Sequence, residues 1–522
     1  MKAVTSLPRL TGEVEGVALS TEEARSLGEV RVQQRLSLPT LCEITFFDPP
    51  PALAERAPSL PGASLRLGLE DRPDALFSGQ ITSAASEHGP AGGLTLRLRG
   101  YDLLHRLRKR QPLRRHAHLS TAELLAEVVA DLGLRVEASE PGPRWEALLQ
   151  HRHSDFDLVA EVVERSGLYF TLRGDTLHLL TLEGSGTPVR LALGDNLLEA
   201  RLEVSGEPAC RTVDTLGWDP WLAKARRGDA RSPRAGRQVE AQVAPDRVGG
   251  SGARTLTNEA VQSDEQAAAL AQAELDRQAA GEVTLWGTAE GNPDLRPGTP
   301  VIVSGVAPAL GGRYVLTAVT HTVDRRRGFQ SEIDTTPPVP RARTGSTAFT
   351  VGTVTEVDDP EGLGRVRVSL PGLGDLESDW LEVLTPGAGP SKGLVSLPDV
   401  GDHVLVGLVG GDAAQGVVLG GLYGVEAPPD AGVAGGRVRR FTLVTADGQR
   451  IQMDDDAHRV RIQNSRGDRL ELSPGHARLQ NGRGSFVELA GDEVRVHAAG
   501  DLEIKAPGSV TIRGARIDFE QA

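Results

Sequence analysis

The sequence predicts a mainly β protein, with an α+β first region and two all-β regions after it. Three observations carry this. Aromatic residues are only 4% of the 522, while Gly numbers 61 and Pro 33, a composition suited to strands and turns rather than to helices. A gapless repeat with a spacing of 17 relates residues 460–472 to 477–489, each copy two short alternating runs around a glycine-bearing turn. Beyond it, every even position from Val494 to Gly514 is apolar or glycine, whereas Arg495, Asp501, Glu503, Lys505, Thr511 and Arg513 take odd positions. Period-two alternation marks a strand with one covered face.

At about 150 residues per domain, the length accommodates three or four domains. Lys+Arg of 57 against Asp+Glu of 71 leaves a net charge of −14. An acidic balance disfavours a broad phosphate-binding surface, so nucleic acid is not an expected partner. Cys42 and Cys210 are the only cysteines, which excludes a disulfide framework and a four-thiolate metal site. They read as buried thiols. The start, MKAVTSLPRLTGEVEG, lacks the apolar core of a secretory signal, and no run of about 18 apolar residues occurs. The expectation is synthesis in the cytoplasm and export, if any, by a route other than general secretion.

In the first region, to about residue 340, strands mix with three signalled helices. Ser120-Thr-Ala-Glu123 has capping-box form, and Leu125, Val128, Val129 and Leu132 follow at helical spacing before Gly133. Ser154-Asp-Phe-Asp157 opens a second helix, with Leu158, Val159, Val162 and Val163 as its stripe and Gly167 as its stop. In LYFTLRGDTLHLL, Gly174 and Asp175 separate two apolar runs as the turn of a hairpin. Ser263-Asp-Glu-Gln266 caps an alanine-rich helix running to about Ala280. Segment 224–256, rich in Arg, Gly and Pro and aperiodic, reads as a long loop.

The stretch TTPPVPRARTGST, 335–347, reads as a stiff linker, because three prolines within five residues bar both helix and central strand. From 349 to 424 come FTVGTVTEV, GRVRVSL, WLEVL, GLVSL, DHVLVGLV and GVVLGGLYG. Five or six short strands suit a small closed barrel of OB type, since closure leaves few free edges. The repeats then begin, with GQRIQM from Gly448 as a partial copy. The expected domains are 1–340, 341–425 and 426–522.

After Gly491 the inner positions recur every eight residues: Val494, Val496; Leu502, Ile504; Val510, Ile512, with Ala and Gly between. One chain cannot enclose so long and narrow a face. Burying it at about 25 cal/mol per Å² requires surfaces of the same shape. Identical chains about a threefold axis supply them, in an intertwined trimeric prism whose core these six residues would form. One long amphipathic hairpin packed on the rest of the chain is the alternative.

The middle region resembles the OB-fold of VgrG-type spike proteins of contractile injection systems. The residues are Asp359-Pro-Glu-Gly-Leu-Gly-Arg-Val-Arg-Val368, Glu377-Ser-Asp-Trp380, Thr385-Pro-Gly-Ala-Gly389, Leu397-Pro-Asp-Val-Gly-Asp-His-Val-Leu-Val406 and Gly420-Gly-Leu-Tyr423. The first region is similar to the tail-hub half of these proteins in Gly79-Gln-Ile-Thr82, in Gly100-Tyr-Asp-Leu-Leu104, and in residues 151–170 and 295–305. The last region looks like their β-helix needle. The resemblance implies a homotrimer whose hub carries two barrels per chain with helical insertions, matching a hexameric inner tube protein within a baseplate. It further implies a needle bearing a PAAR-type tip protein, possible effector cargo, and mechanical puncturing of a target envelope. The tip would sit at the end marked by Ile517 and Phe519.

The resemblance implies no enzyme, cofactor or metal. Phage relatives can carry a lysozyme between barrel and needle, but Val425 to Gly436 are too few to fold one. The sequence also predicts no appended effector, as it runs to Ala522 just beyond the last strand. No G-x-S-x-G, H-E-x-x-H or Walker loop is present. His116/His118 and His151/His153 have strand spacing but no evident acidic or thiol partners, His178 and His321 read as ordinary strand residues, and Asp454-Asp-Asp456 as a solvated turn. The basic run 106–118 reads as a solvated face, or else as a contact with an acidic ring subunit. A trimeric receptor-binding tail fibre is the alternative of another class, and a secreted peptidoglycan hydrolase a weaker one.

Overall fold

The computed structural model describes residues 9–70, 72–90, 92–151, 153–219, 224–341, 348–409 and 415–521. Backbone contacts divide the chain into two units, Met1–Gly421 and Leu422–Ala522.

In the first unit, an eleven-stranded sheet carries two half-barrels. They join at the antiparallel pair Leu27–Arg35 and Ala318–Asp324, where Val30 lies opposite Val323. One half continues through Leu41–Phe47, Leu94–Tyr101, Ala75–His88, Ser64–Leu69 and Leu10–Val14, around a core of Ile44, Phe46, Leu65, Leu96 and Leu98. The other continues through Gly328–Asp334, Val283–Glu290 and Leu197–Val204, around Leu285, Val301, Tyr314 and Ile333. This is the α+β hub with paired barrels that the resemblance implied.

Local signals set the helices. Ser120 Oγ accepts the Glu123 N–H while Glu123 Oε2 accepts the Ser120 N–H, and the helix Thr121–Val129 follows. Its last turn tightens to a 3-10 form, Ala130–Leu132, ending at Gly133 with φ 69°. Ser154 caps Asp155–Arg165 and Ser263 caps Asp264–Glu282. The hairpin Tyr169–Arg173 with Thr176–Leu180 forms as predicted, and its Phe170, Leu177 and Leu179 share a core with the first two helices. Cys42 and Cys210 are both free and buried.

Two readings are corrected. Segment 224–256 is a long loop only in its middle, residues 231–252. It holds the strands Lys224–Ala230 and, beginning within it, Ala253–Ala260, flanking Thr212–Asp219, with a 3-10 turn at Pro245–Val248. Its arginines are fastened to buried acids of the helix Asp264–Glu282: Arg234 to Asp276 at 3.1 Å, Arg237 to Glu282 at 3.1 Å and Arg254 to Glu274 at 3.2 Å. The strand also approaches that helix so closely that a Cβ on Gly228 would lie 2.1 Å from the Ala268 nitrogen. GLVSL, in turn, is not a barrel strand. Only Lys392–Gly393 pairs, with Ala388–Gly389, and Leu394, Val395 and Leu397 stay exposed.

The barrel sheet runs Leu376–Glu377, Arg367–Leu370, Ala348–Glu356, His403–Leu408, Gly416–Leu422, Glu382–Val383. A bridge between Val366 and Leu381 brings its ends together. Ala147 and Leu149, from the hub strand Arg144–Gln150, enter the barrel core beside Val354, Val368 and Val404. The basic run 106–118 is largely engaged within the chain: Arg108 lies over the Phe156 ring at 4.8 Å, Arg110 pairs with buried Asp155 at 2.8 Å, and Arg115 reaches Asp379 of the barrel at 2.6 Å. In the linker stretch, Arg341 pairs with Asp157 at 2.9 Å; residues 342–347 lie outside the described residues.

Candidate assembly interface

The second unit is built on a seven-stranded antiparallel meander: Arg440–Val444, Arg450–Asp454, Arg459–Gln463, Arg469–Ser473, His476–Gln480, Phe486–Ala490 and Glu493–His497. The 17-residue repeat is a repeat of turn chemistry as well as of strands. Asn464 Oδ1 accepts the N–H groups of Arg466 and Asp468 at 3.0 and 2.9 Å. Asn481 Oδ1 accepts those of Arg483 and Ser485 at 3.1 and 2.9 Å. Each asparagine closes the turn over a left-handed glycine, Gly467 or Gly484.

Register then sorts the side chains into two unlike faces. On one face lie two rows in which each residue is opposite the next: Leu443, Ile451, Ile462, Leu470, Leu479, Val487, Val496, and Phe441, Met453, Val460, Leu472, Ala477, Leu489, Val494. Apart from Ala477, these side chains are 37–68% exposed. Contiguous apolar surface of this kind marks an interaction site.

The opposite face is a polar ladder of Thr442, Gln452, Arg461, Glu471, Arg478, Glu488 and Arg495 in the same register. Arg461 meets Glu471 at 2.7 Å, and Glu488 takes Arg478 and His476 at 2.9 Å each. At the head of the ladder, Asp430 accepts from Arg440, Thr442 and Gln452 at 2.9 Å each. The Arg440 guanidinium holds the Asp430 carboxyl well below the usual carboxylate range, and the His476 bond does the same, more weakly, for Glu488. Gln452 and Glu488 are buried, although they belong to the polar face. The sheet thus pairs charges of its polar side with one another and leaves its apolar side uncovered.

Of the residues singled out in the sequence, Val494 and Val496 stand in the two apolar rows, opposite Leu489 and Val487. Leu502, Ile504, Val510 and Ile512 are exposed, and so are Ile517 and Phe519. They fall in residues 498–521, which form no strand within the chain. The apolar rows of the preceding six strands were missed as site residues. Their signal was the same alternation, carried by the repeat.

Elsewhere, three of the paired histidines do have acidic partners, contrary to expectation: His116 with Glu127 at 3.2 Å, His118 with Glu146 at 2.9 Å and His153 with Glu161 at 3.8 Å, while His178 is a strand residue as expected. Among the described residues, no three His, Cys, Asp or Glu side chains gather as a metal site. His321 is a buried strand residue bonded to Ser331 Oγ at 2.9 Å. Asp454 closes a turn by accepting the Ala457 N–H at 2.9 Å. No described helix is long and apolar enough to cross a membrane.

Comparison with known proteins agrees with this architecture. Residues 350–423 match the type VI secretion system/phage-baseplate injector OB domain, and residues 10–325, more than half of the chain, match the Alg8 N-terminal domain. The type VI secretion system spike protein VgrG1a of Pseudomonas aeruginosa is 23% identical over 414 residues, 70% of this chain and 62% of that protein. VgrG5 of the same organism is 34% identical over 119 residues, 20% of this chain and 15% of its own length. The chain therefore spans less than two thirds of either relative. A chain of the lidded Francisella PdpA-VgrG complex matches in fold with a TM-score of 0.52 at 10% identity, over 94% of this chain and 81% of that one. With its paired half-barrels, injector-type barrel and alternating C-terminal sheet, the chain belongs to the Alg8 N-terminal domain family and is a VgrG-type spike protein.

Proposed function

We propose that the chain is the non-enzymatic, homotrimeric spike and baseplate hub of a contractile injection system. In this reading, residues 1–340 form the hub that meets a hexameric inner tube protein and other baseplate proteins, 341–425 the barrel, and 426–522 the needle. Val494, Val496, Leu502, Ile504, Val510 and Ile512 pack about the threefold axis. Ile517 and Phe519 present the end that receives a PAAR-type tip, and effector cargo travels with the assembly out of the producing cell. The puncture of a target envelope is mechanical.

The observation that carries this reading is the uncovered pair of apolar rows, in register across seven strands and backed by a polar ladder whose charges pair with one another. Two further copies would supply matching faces at no cost in buried charge. The type VI spike relatives and the injector-type barrel favour the same conclusion. Sedimentation equilibrium of the full chain tests it. The expected mass is three times 55.4 kDa; a stable species of 55.4 kDa at micromolar concentration overturns it.

A further inference from the structure

In the first unit, a cleft of about 550 Å³ opens between the strands Ser64–Leu69 and Ala75–His88 and the hairpin turn after Arg173. Three arginines line it, Arg66, Arg173 and Arg296, together with Asp74, Asp102 and Asp175. Arg173 Nη2 donates to the Pro297 carbonyl at 3.0 Å, but its Nε is buried with no acceptor among the described residues. Burial and the neighbouring charge of Arg296 both lower the pKa of Arg173. Arg296 Nε donates to the Pro293 carbonyl at 2.8 Å, and its Nη2 stands 3.6 Å from Asp74, a carboxylate 75% exposed to solvent.

The cleft's other carboxylates are occupied. Asp175 is held by Arg135, through contacts of 2.9 and 3.1 Å. Asp102 is buried and accepts the N–H groups of Thr40 and Leu104 at 2.7 and 3.1 Å, so it serves the backbone rather than the arginines. Arg173, whose Nε lacks an acceptor among the described residues, and Arg296, whose ion-pair partner Asp74 is largely in solvent, thus both line a space large enough for a small molecule. Like charges so placed repel unless an anion lies between them. Oxyanions match the guanidinium fork with paired acceptors.

We propose that this cleft binds a small, multiply charged oxyanion of phosphate or carboxylate type, held between Arg173 and Arg296 with Arg66 on the wall. The site is independent of the apolar rows of the second unit, so trimer formation and anion binding can fail separately. Titration calorimetry on the full chain tests it, with pyrophosphate in one arm and citrate in the other to separate the two chemistries. One site per chain is expected for at least one of them, with a dissociation constant below about 1 mM. Arg173→Gln and Arg296→Gln should each weaken it by about tenfold or more, whereas Arg326→Gln, on an exposed turn, should leave it unchanged. Melting curves check that each variant is folded, and Arg66→Gln serves where one is not. Absence of binding of both anions at about 10 mM to folded protein overturns the proposal, as does an equal loss in Arg326→Gln, which would mean diffuse screening.

Discussion

Asp359 carries more bonds than most carboxylates of the chain. It accepts the backbone N–H of Glu361 at 3.1 Å, Leu363 at 3.0 Å and Arg365 at 3.3 Å, and the Arg365 guanidinium through Nε at 3.0 Å and Nη2 at 2.8 Å. Both partners are buried. The stretch Asp359-Pro-Glu-Gly-Leu-Gly-Arg365, part of what marked the barrel in the sequence, is therefore a loop closed upon its own carboxylate. The string was legible in the sequence; its physical purpose was not, because five donors converge only once the loop is folded. Asp359→Ala leaves the buried Arg365 guanidinium only its bond to Glu361, at 3.0 Å, and should cost about 3 kcal/mol, read as a fall in denaturant midpoint with unchanged slope. The Arg365 bond holds the Asp359 carboxyl below its usual 3.8. Its contribution is thus complete above that pH and is lost as the pH falls below it, so the variant should lack this part of the acid-side loss of stability.

Elements were legible in proportion to how local their causes are. Caps and stop glycines lie within a few residues of the helices they bound, and all three helices begin at the predicted serine. The strands at the two ends of segment 224–256 were missed, and its middle is ordered by Arg234 and Arg237 meeting acids of the helix Asp264–Glu282, contacts that no periodicity announces. The strand Arg144–Gln150 was equally hidden in its role. Trp145 and Leu148 belong to the helical core, while Ala147 and Leu149 complete the barrel core. One strand therefore couples two cores that the proline-rich stretch was expected to separate. Leu149→Ala should cost about 2–5 kcal/mol, and amide exchange should accelerate in His403–Leu408 of the barrel as well as in Arg114–Ser120 of the hub. A response in the hub strand alone would refute the coupling.

At the scale of the whole molecule, the alternation of the last hundred residues announced an apolar face, and the structure extends that face back from Val494 to Phe441 in unbroken register. In the proposed reading its cover comes from two further copies, which would also pair with residues 498–521, a stretch that forms no strand within the chain. In the proposed trimer, Val510 of each copy faces the axis, so a substitution there enters three times at one level. Val510→Asp buries three like charges together, and should cost at least about 2–3 kcal/mol per chain. The measured outcome is a lower melting temperature with a shift of sedimenting mass away from the trimer. Arg513→Ala, at an odd position of the same stretch, changes only the solvent-facing side and should leave both unchanged. If Val510→Asp matched the parent chain in melting curve and mass, this stretch would not be part of a shared core, and the threefold packing would have to rest on the meander rows alone.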